Sequence, residues 1–233
     1  MKAKKISIVI PVYNEEKTIK EIVTRVSNSN TLKLQKEIIV VDDGSKDRTK
    51  YILNNLKKKN IRILFHKKNK GKGSALRTGF RQATGEIILV QDADLEYSPK
   101  EYPKLLKPIL KGVAKVVYGS RELSGKNVHS SIFFHAGGKV VTLVANILYG
   151  GRLTDEATGY KVFDAKFLKS LPLKCQGFEF CPEVTALTLK KGEKIIEVPI
   201  SYSARHKEDG KKIKARDGIE AIWTLLKIRF KNT

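Results

Sequence analysis

Asp92 and Asp94, with Glu96 two residues further on, follow an apolar run over 87–90 and Gln91. Carboxylates at that spacing repel one another unless a cation lies among them. Hard divalent ions such as Mg²⁺ or Mn²⁺ take carboxylate oxygens and commonly fill their other positions with substrate phosphates. One reading of Asp92, Asp94 and Glu96 is therefore a metal–diphosphate site. The other is a strand end and a solvated acidic turn, with Ser98 and Pro99 opening the next helix. The spacing alone does not choose between them.

The segments before this cluster decide where it would sit. Residues 6–12 read as a buried strand, followed by Tyr13-Asn14-Glu15-Glu16 and a helix to about Val26, with Ile19, Ile22, Val23 and Val26 on one face. A second strand over 37–41 ends in Asp42-Asp43-Gly44-Ser45 and leads into a helix carrying Ile52, Leu53 and Leu56. A third strand, Ile61–Phe65, precedes Asn69-Lys70-Gly71-Lys72-Gly73-Ser74 and a helix to about Ala83. The strand over 86–91 then delivers the acidic cluster. This alternation predicts an α/β, mostly parallel, Rossmann-like sheet flanked by helices. Open sheets of that kind bind ligands at the carboxyl ends of their strands. Asp42 or Asp43, at such an end, suits a base N–H or a ribose hydroxyl, but an Asp-Gly turn with helix capping by Ser45 or Asp47 fits equally. Gly71 and Gly73 allow close backbone approach, Lys70 and Lys72 add charge, and the following helix would point its N-terminus at an anion.

Beyond Pro99 the pattern loosens. The expected elements are a helix over 103–111, a strand over 114–118 closing on Gly119-Ser120-Arg121, and a polar loop over 122–131. There follow an amphipathic helix over 132–149, a turn into a short strand over 155–163 and a helix within 177–191. A strand over 194–199 and a final amphipathic helix over 216–230 complete the chain.

Charge restricts the partners. Lys and Arg number 46 against 24 Asp and Glu, a formal net charge of +22, so the partner is anionic: nucleic acid, an anionic membrane surface or a phosphorylated substrate. Cys175 and Cys181 form no paired zinc pattern and are expected to be reduced and structural, in a cytoplasmic protein. The chain enters its first strand without a signal-peptide apolar region, and no stretch reaches the ~20 apolar residues of a membrane span. His129, His135 and His206 have no carboxylate partner evident in the sequence and are expected at the surface. No recognition helix or stacking aromatic pattern marks a specific nucleic-acid binder, although lysine runs tracking phosphates remain a reading of the charge.

Taken in order, IPVYNEE, VVDDGSKDRT, NKGKGSALRTGF, GEIILVQDADLEYSP and VVYGSRE resemble the nucleotide-sugar half of family 2 glycosyltransferases, which have the GT-A fold. LTDEATGYKVF, GFEFCPEVTA and the stretch from KIIEVPISYSAR to GKKI extend the likeness to the polyprenyl-phosphate sugar synthases, the group that includes dolichol-phosphate mannose synthase. The resemblance implies a metal-dependent, inverting transfer of a hexose from a nucleotide sugar, GDP-mannose or a UDP-sugar such as UDP-glucose, to dolichyl or polyprenyl phosphate. It implies that Pro11, Tyr13, Asn14, Glu15 and Asp42 or Asp43 line the base and ribose, with Lys70, Gly71 and Lys72 adding contacts to the nucleotide. Asp92, Ala93 and Asp94 would meet the donor, Asp92 and Asp94 flanking Mg²⁺ or Mn²⁺. Glu96 stands where many relatives carry Gln, as a third metal ligand or a bystander. Arg121 and Arg205 match arginines near the donor and acceptor phosphates, Lys211 a second phosphate contact, and Asp94, Arg121 and Arg205 are the residues expected to carry catalysis. One domain over 1–233 is expected, with a nucleotide-sugar part (1–121) and an acceptor part (122–233). The helices over 132–149 and 216–230 would either pack on the sheet or lie at a membrane interface, the latter placing the protein peripherally on the cytoplasmic membrane face. A soluble transferase acting on a sugar or protein hydroxyl is the alternative within the same fold; it would need a general base, which an anionic phosphate acceptor does not.

Overall fold

The apolar segment after Lys5 becomes the middle of the sheet because it is buried on both faces, as parallel strands sandwiched by helices must be. In the computed structural model, which describes residues 3–56, 60–125, 132–204 and 215–231, this strand is β1 (Lys5–Val12). Its Ile6, Ile8 and Ile10 face one layer, with Ile19, Ile22 and Val26 of α1 (Ile19–Ser27) and Leu105 and Leu106 of α4 (Tyr102–Leu110). Val9 faces the other, with Leu76 and Phe80 of α3 (Lys72–Gln82) and Phe180 and Val184 of α7 (Phe180–Lys190). The period-two alternation of one strand thus builds two cores.

The strands β2 (Gln35–Asp42), β3 (Ile61–Phe65), β4 (Ile87–Val90), β5 (Val116–Ser120), β6 (Lys161–Asp164) and β7 (Ile195–Pro199) complete a seven-stranded sheet in the order β3-β2-β1-β4-β6-β5-β7. All neighbours are parallel except β6, which runs antiparallel to both β4 and β5. The connection from β3 to β4 crosses to the other side of β1, which creates the switch point where open sheets bind ligands. Because β6 is reversed, the chain entering it (155–160) lies at the same edge as the ends of β4 and β5. The end of β7 reaches that edge too. The topology therefore gathers the acidic turn, Arg121, residues 155–160 and residues 200–204 in one place.

The sheet and its flanking helices match the expectation from sequence, with displaced ends. The fourth strand stops at Val90, and Gln91 leaves it with one last ladder bond, its N–H donating to the Val9 carbonyl (3.0 Å). The fifth begins at Val116 and the final helix, α8, spans Ala215–Phe230. Two short helices, α2 (Thr49–Asn54) and α6 (Ala165–Lys169), flank β2 and β6. The sequence reading missed α6, because five residues show no periodicity. It is set by Asp164, whose Oδ1 accepts from the Phe167 N–H (2.8 Å).

The helix α5 spans Ile132–Tyr149, as the apolar spacing predicts. One face is buried, against helices rather than the sheet, and the other is exposed and apolar. Val141 and Ala145 are buried with Ala186 of α7 and Ala221 and Leu225 of α8, whereas Phe133, Val140, Leu143 and Ile147 of α5 and Ile219, Trp223 and Phe230 of α8 face out, Ile147 at 72% exposure. Among the described residues no helix is long and apolar enough to cross a membrane.

Gln91 fixes the start of the acidic turn. It is fully buried; its Oε1 accepts from the Tyr102 and Tyr160 hydroxyls (2.8 and 2.7 Å), and its Nε2 donates to the carbonyls of Asp92 (3.0 Å) and Tyr97 (3.4 Å). One amide thus ties both ends of the turn to α4 and to Tyr160, just before β6. Replacing it by leucine orphans two buried hydroxyls, and the expected loss is about 3 kcal/mol of unfolding free energy. Urea denaturation of Gln91→Leu measures this, and an unchanged midpoint would contradict the role.

Candidate functional site

The loops after β1 and β2 brace each other. Asn14 adopts a left-handed backbone (φ 50°); its N–H donates to Ser45 Oγ (2.9 Å) and its Oδ1 accepts from the Lys46 N–H (2.8 Å). The Glu15 N–H donates to Thr49 Oγ1 (2.8 Å), and Glu15 Oε2 accepts from Thr18 Oγ1 (2.7 Å). Asp42 Oδ1 accepts from the Ser45 N–H (3.1 Å) and hydroxyl (2.5 Å), closing the Asp-Gly turn, and Asp47 Oδ1 accepts from the Thr49 N–H (3.0 Å). The Asp42 side chain borders a hollow walled also by Tyr13, Gly44, His66, Lys68 and Asn69.

Asp43 does a different job. Its carboxylate accepts from the N–H groups of Lys70 (3.0 and 3.1 Å) and Gly71 (2.7 Å), and Oδ1 lies 2.6 Å from His66 Nδ1. His66 in turn reaches Thr78 Oγ1 with Nε2 (3.0 Å). A buried carboxylate thereby holds the glycine-rich segment in place. The expectation that this segment offers a helix N-terminus to an anion is corrected. The N–H groups of Gly73 and Ser74, in the first turn of α3, donate to the carbonyls of Gly177 (3.1 Å) and Gln176 (2.8 Å). The glycines serve that contact: a Cβ on Gly71, whose φ is +93°, would lie 2.5 Å from the Gln176 carbonyl oxygen, and one on Gly73 would lie 2.8 Å from that of Cys175. The side chain of Lys72, rather than the backbone, faces the cleft, while Lys70 is exposed outside it.

Lys72 Nζ lies 2.6 Å from Asp92 Oδ1. Burial works against its charge, but Asp92 above all, with Cys181 and Asp94, more than offsets this and raises the lysine above its ordinary value. The other Asp92 oxygen backs onto Gly159, where a Cβ would collide with it. The turn then passes through Leu95, which has a positive φ of 65°, so that Asp94 Oδ1 accepts from the Glu96 N–H (3.1 Å). The Asp94 carboxyl is pushed up to about 7 by burial first, then by the charges of Asp92 and Glu96. Negative charge is in excess here, which suits a cation. The three carboxylates do not form a ready-made cage, however: among the described residues no group of three acidic, His or Cys side chains is placed to hold a metal. Glu96 turns toward Tyr202, whose hydroxyl donates to Oε2 (3.0 Å), and the Glu96 carbonyl accepts from the Ser203 N–H (2.9 Å). The residues fit a metal that takes Asp92 and Asp94 and completes its shell from a ligand.

Arg121, at the end of β5, makes a forked pair with Asp155: Nε donates to Oδ2 (2.7 Å) and Nη2 to Oδ1 (2.6 Å), while the Arg121 N–H also reaches Oδ2 (2.9 Å). The Tyr202 ring lies 5.3 Å from the guanidinium. Burial raises the Asp155 carboxyl, but the hydrogen bonds and charge of Arg121 outweigh it and hold the group below the usual carboxylate range.

A cleft of about 790 Å³ connects these groups. Of the residues singled out in the sequence, Pro11, Tyr13, Glu15, Asp43, Gly71, Lys72, Asp92, Ala93, Asp94, Glu96 and Arg121 line it, whereas Asn14, Asp42 and Lys70 do not. Arg205 and Lys211, like His129 and His206, lie outside the described residues. The sequence reading did not single out Asp155, Tyr202 or His66. His66 follows β3 directly, so its place at the ligand edge was readable; Asp155 and Tyr202 arrive there through the reversal of β6 and the return of β7. His135 is also corrected: it lines the cleft with Nδ1 3.4 Å from Glu122 Oε1. Cys181 is likewise in the cleft wall, and both cysteines are free.

The strand order and the acidic turn after β4 define a protein of the GT-A class, a mostly parallel sheet that presents charged loops at one edge. The model of glycosyl transferase family 2 matches residues 7–169, and the chain belongs to that family. It is 31% identical over 216 residues to a dolichol-phosphate mannosyltransferase of Pyrococcus furiosus, a match that covers 89% of this chain but 59% of the relative. It is also 31% identical over 220 residues to a UDP-N-acetylglucosamine–dolichyl-phosphate N-acetylglucosaminyltransferase of Methanococcus voltae, covering 86% of each. A glucosyl-3-phosphoglycerate synthase of Mycobacterium tuberculosis, solved with Mn²⁺, UDP and phosphoglyceric acid, shares the fold: TM-score 0.74 and 22% identity, over 99% of this chain and 80% of that one.

Gly159 tests whether the Asp92 position matters. Gly159→Ala forces the carboxylate from its seat, and the affinity for Mn²⁺ with UDP or GDP is expected to fall about tenfold, as for other supports of a metal ligand. Calorimetric titration reads this; equal affinities in a folded variant would contradict the placement.

Proposed function

We propose that the protein is an inverting glycosyltransferase that moves a hexose from a GDP- or UDP-sugar to dolichyl or another polyprenyl phosphate. The observation that carries this is the composition of the cleft. Asp92, Asp94, Lys72 and Arg121 occupy it together with Phe133, Val140 and Ile219, which belong to the outward apolar faces of α5 and α8. A diphosphate-binding chemistry thus opens onto a surface suited to lipid. The relatives named for dolichyl-phosphate transfer support the same acceptor. A net charge of +22 favours an anionic membrane surface, with the protein peripheral on the cytoplasmic face.

In this reading the acceptor phosphate oxygen attacks the anomeric carbon, the bond to the nucleoside diphosphate breaks, and configuration inverts. The acceptor is already anionic, so no side chain has to remove a proton. Asp92 and Asp94 hold Mg²⁺ or Mn²⁺, which when bound neutralises charge on the leaving diphosphate. Lys72 adds positive charge beside Asp92, and Asp155 orients the Arg121 guanidinium toward phosphate. Arg205 and Lys211 supply further phosphate contacts. The hollow bounded by Tyr13 and Asp42 takes the base, Asn14 and Asp43 shape the loops around it, and Glu96 ties the acidic turn to residues 202–203. The nucleotide is handled by residues 1–121 and the acceptor by 122–233.

The pair of His135 and Glu122 in the cleft favours a second reading, a soluble transferase that deprotonates a sugar or protein hydroxyl. Incubation with radiolabelled nucleotide sugars and extracted lipid separates the two. Label in the organic phase is expected, and label confined to water-soluble product would overturn the lipid acceptor. Asp94→Ala is expected to lower turnover about a hundredfold or more, as loss of transition-state charge stabilisation does. Near-wild-type turnover would remove Asp94 from the reaction.

A further inference from the structure

Lys72 is delivered to the acidic turn by a backbone with little freedom. The N–H groups of Lys70 and Gly71 are held by Asp43, and those of Gly73 and Ser74 by the carbonyls of Gly177 and Gln176. Gly71 tolerates no side chain, since its Cβ would meet the Gln176 carbonyl at 2.5 Å. The start of α3 is therefore fixed from both sides, and only the four-carbon stem of Lys72 is adaptable. Its ammonium rests 2.6 Å from Asp92 Oδ1, while Oδ2 of the same carboxylate is backed by Gly159. One of the two Asp92 oxygens is thus already engaged by a cation, and the other is crowded by Gly159. The Lys72 side chain is 21% exposed, on a wall of the same cleft that Asp94 lines, so it has room to swing.

A divalent ion that takes Asp92 and Asp94 must claim that oxygen against the ammonium and then sit beside it. Two cations so close repel, and the carboxylates alone do not compensate both. A nucleoside diphosphate brings the missing negative charge. Resting on the glycosyltransferase reading above, we propose that Lys72 is an internal counter-ion of the acidic turn: it holds Asp92 before ligands arrive and passes to the donor diphosphate as the divalent cation enters, so that cation and nucleotide bind as a coupled pair. The consequence is a pair of effects with opposite signs. Removing the ammonium frees Asp92 for metal and deprives the diphosphate of a partner.

Titration of the full-length protein with Mn²⁺, followed by the loss of free-ion signal in electron paramagnetic resonance, reads the first effect without turnover. Calorimetry with UDP and with GDP at saturating Mn²⁺ reads the second. In Lys72→Met the affinity for Mn²⁺ alone is expected to rise about tenfold and that for the nucleoside diphosphate to fall about tenfold, within the usual range of site–site coupling. Lys72→Arg, which keeps the charge, is expected to keep weak binding of Mn²⁺ alone. Should the methionine variant not fold, Lys72→Gln is expected to show the same signs. An unchanged or weakened affinity for Mn²⁺ alone in a folded Lys72→Met or Lys72→Gln, with wild type binding both ligands, overturns the counter-ion role and leaves the glycosyltransferase reading standing. Wild-type protein that binds neither UDP nor GDP with Mn²⁺ overturns both.

Discussion

Carboxylates brought together at the buried edge of a sheet must be compensated, and most of the architecture around this cleft answers that demand. Asp43 is compensated by backbone N–H groups and His66, Asp155 by the fork of Arg121, and Asp92 by Lys72. Asp94 is raised instead, because burial and its acidic neighbours outweigh what favours its charge. Such a group gains most from a further cation. Of these four cleft carboxylates, three are thus compensated within the protein, and the charge of the fourth, Asp94, is disfavoured.

Topology makes the balance possible. The reversal of β6 brings Asp155 and Gly159 to the ends of β5 and β4, and the parallel return of β7 brings Tyr202 to Glu96. None of these partners is near the other in sequence. Gln91 then ties the turn to α4 and to the segment entering β6 through two tyrosine hydroxyls, so the carboxylates stand on a rigid base. At the opposite side of the cleft, α5 and α8 bury one face on α7 and leave the other apolar and outward. Charged and apolar surfaces therefore meet in one cavity.

Much of this was legible in the chain itself. The runs over 6–12, 37–41 and 87–90 are apolar on both faces, which only a covered parallel strand requires, and the loops after them carry the acidic residues that such sheets present to ligands. The bounds of α5 followed from its apolar spacing. What could not be read depends on contacts between distant segments. NKGKGS looks like a segment that exposes its amides, yet Gln176, Gly177 and Asp43 accept from them. Spacing alone leaves Glu96 as third ligand or bystander, because its carboxylate is also met by the hydroxyl of Tyr202, a residue far along the chain. A five-residue helix such as α6 carries too little pattern to be seen.

In the proposed reaction Asp92 and Asp94 hold a divalent cation together with the donor diphosphate. Diffraction from crystals grown with Mn²⁺ and UDP or GDP, recorded at the manganese absorption edge, tests it most directly. One anomalous peak is expected in the cleft, bonded to carboxylate oxygens of Asp92 and Asp94 and to diphosphate oxygens. A nucleotide in the cleft with no manganese at these aspartates, or manganese held elsewhere, would contradict it.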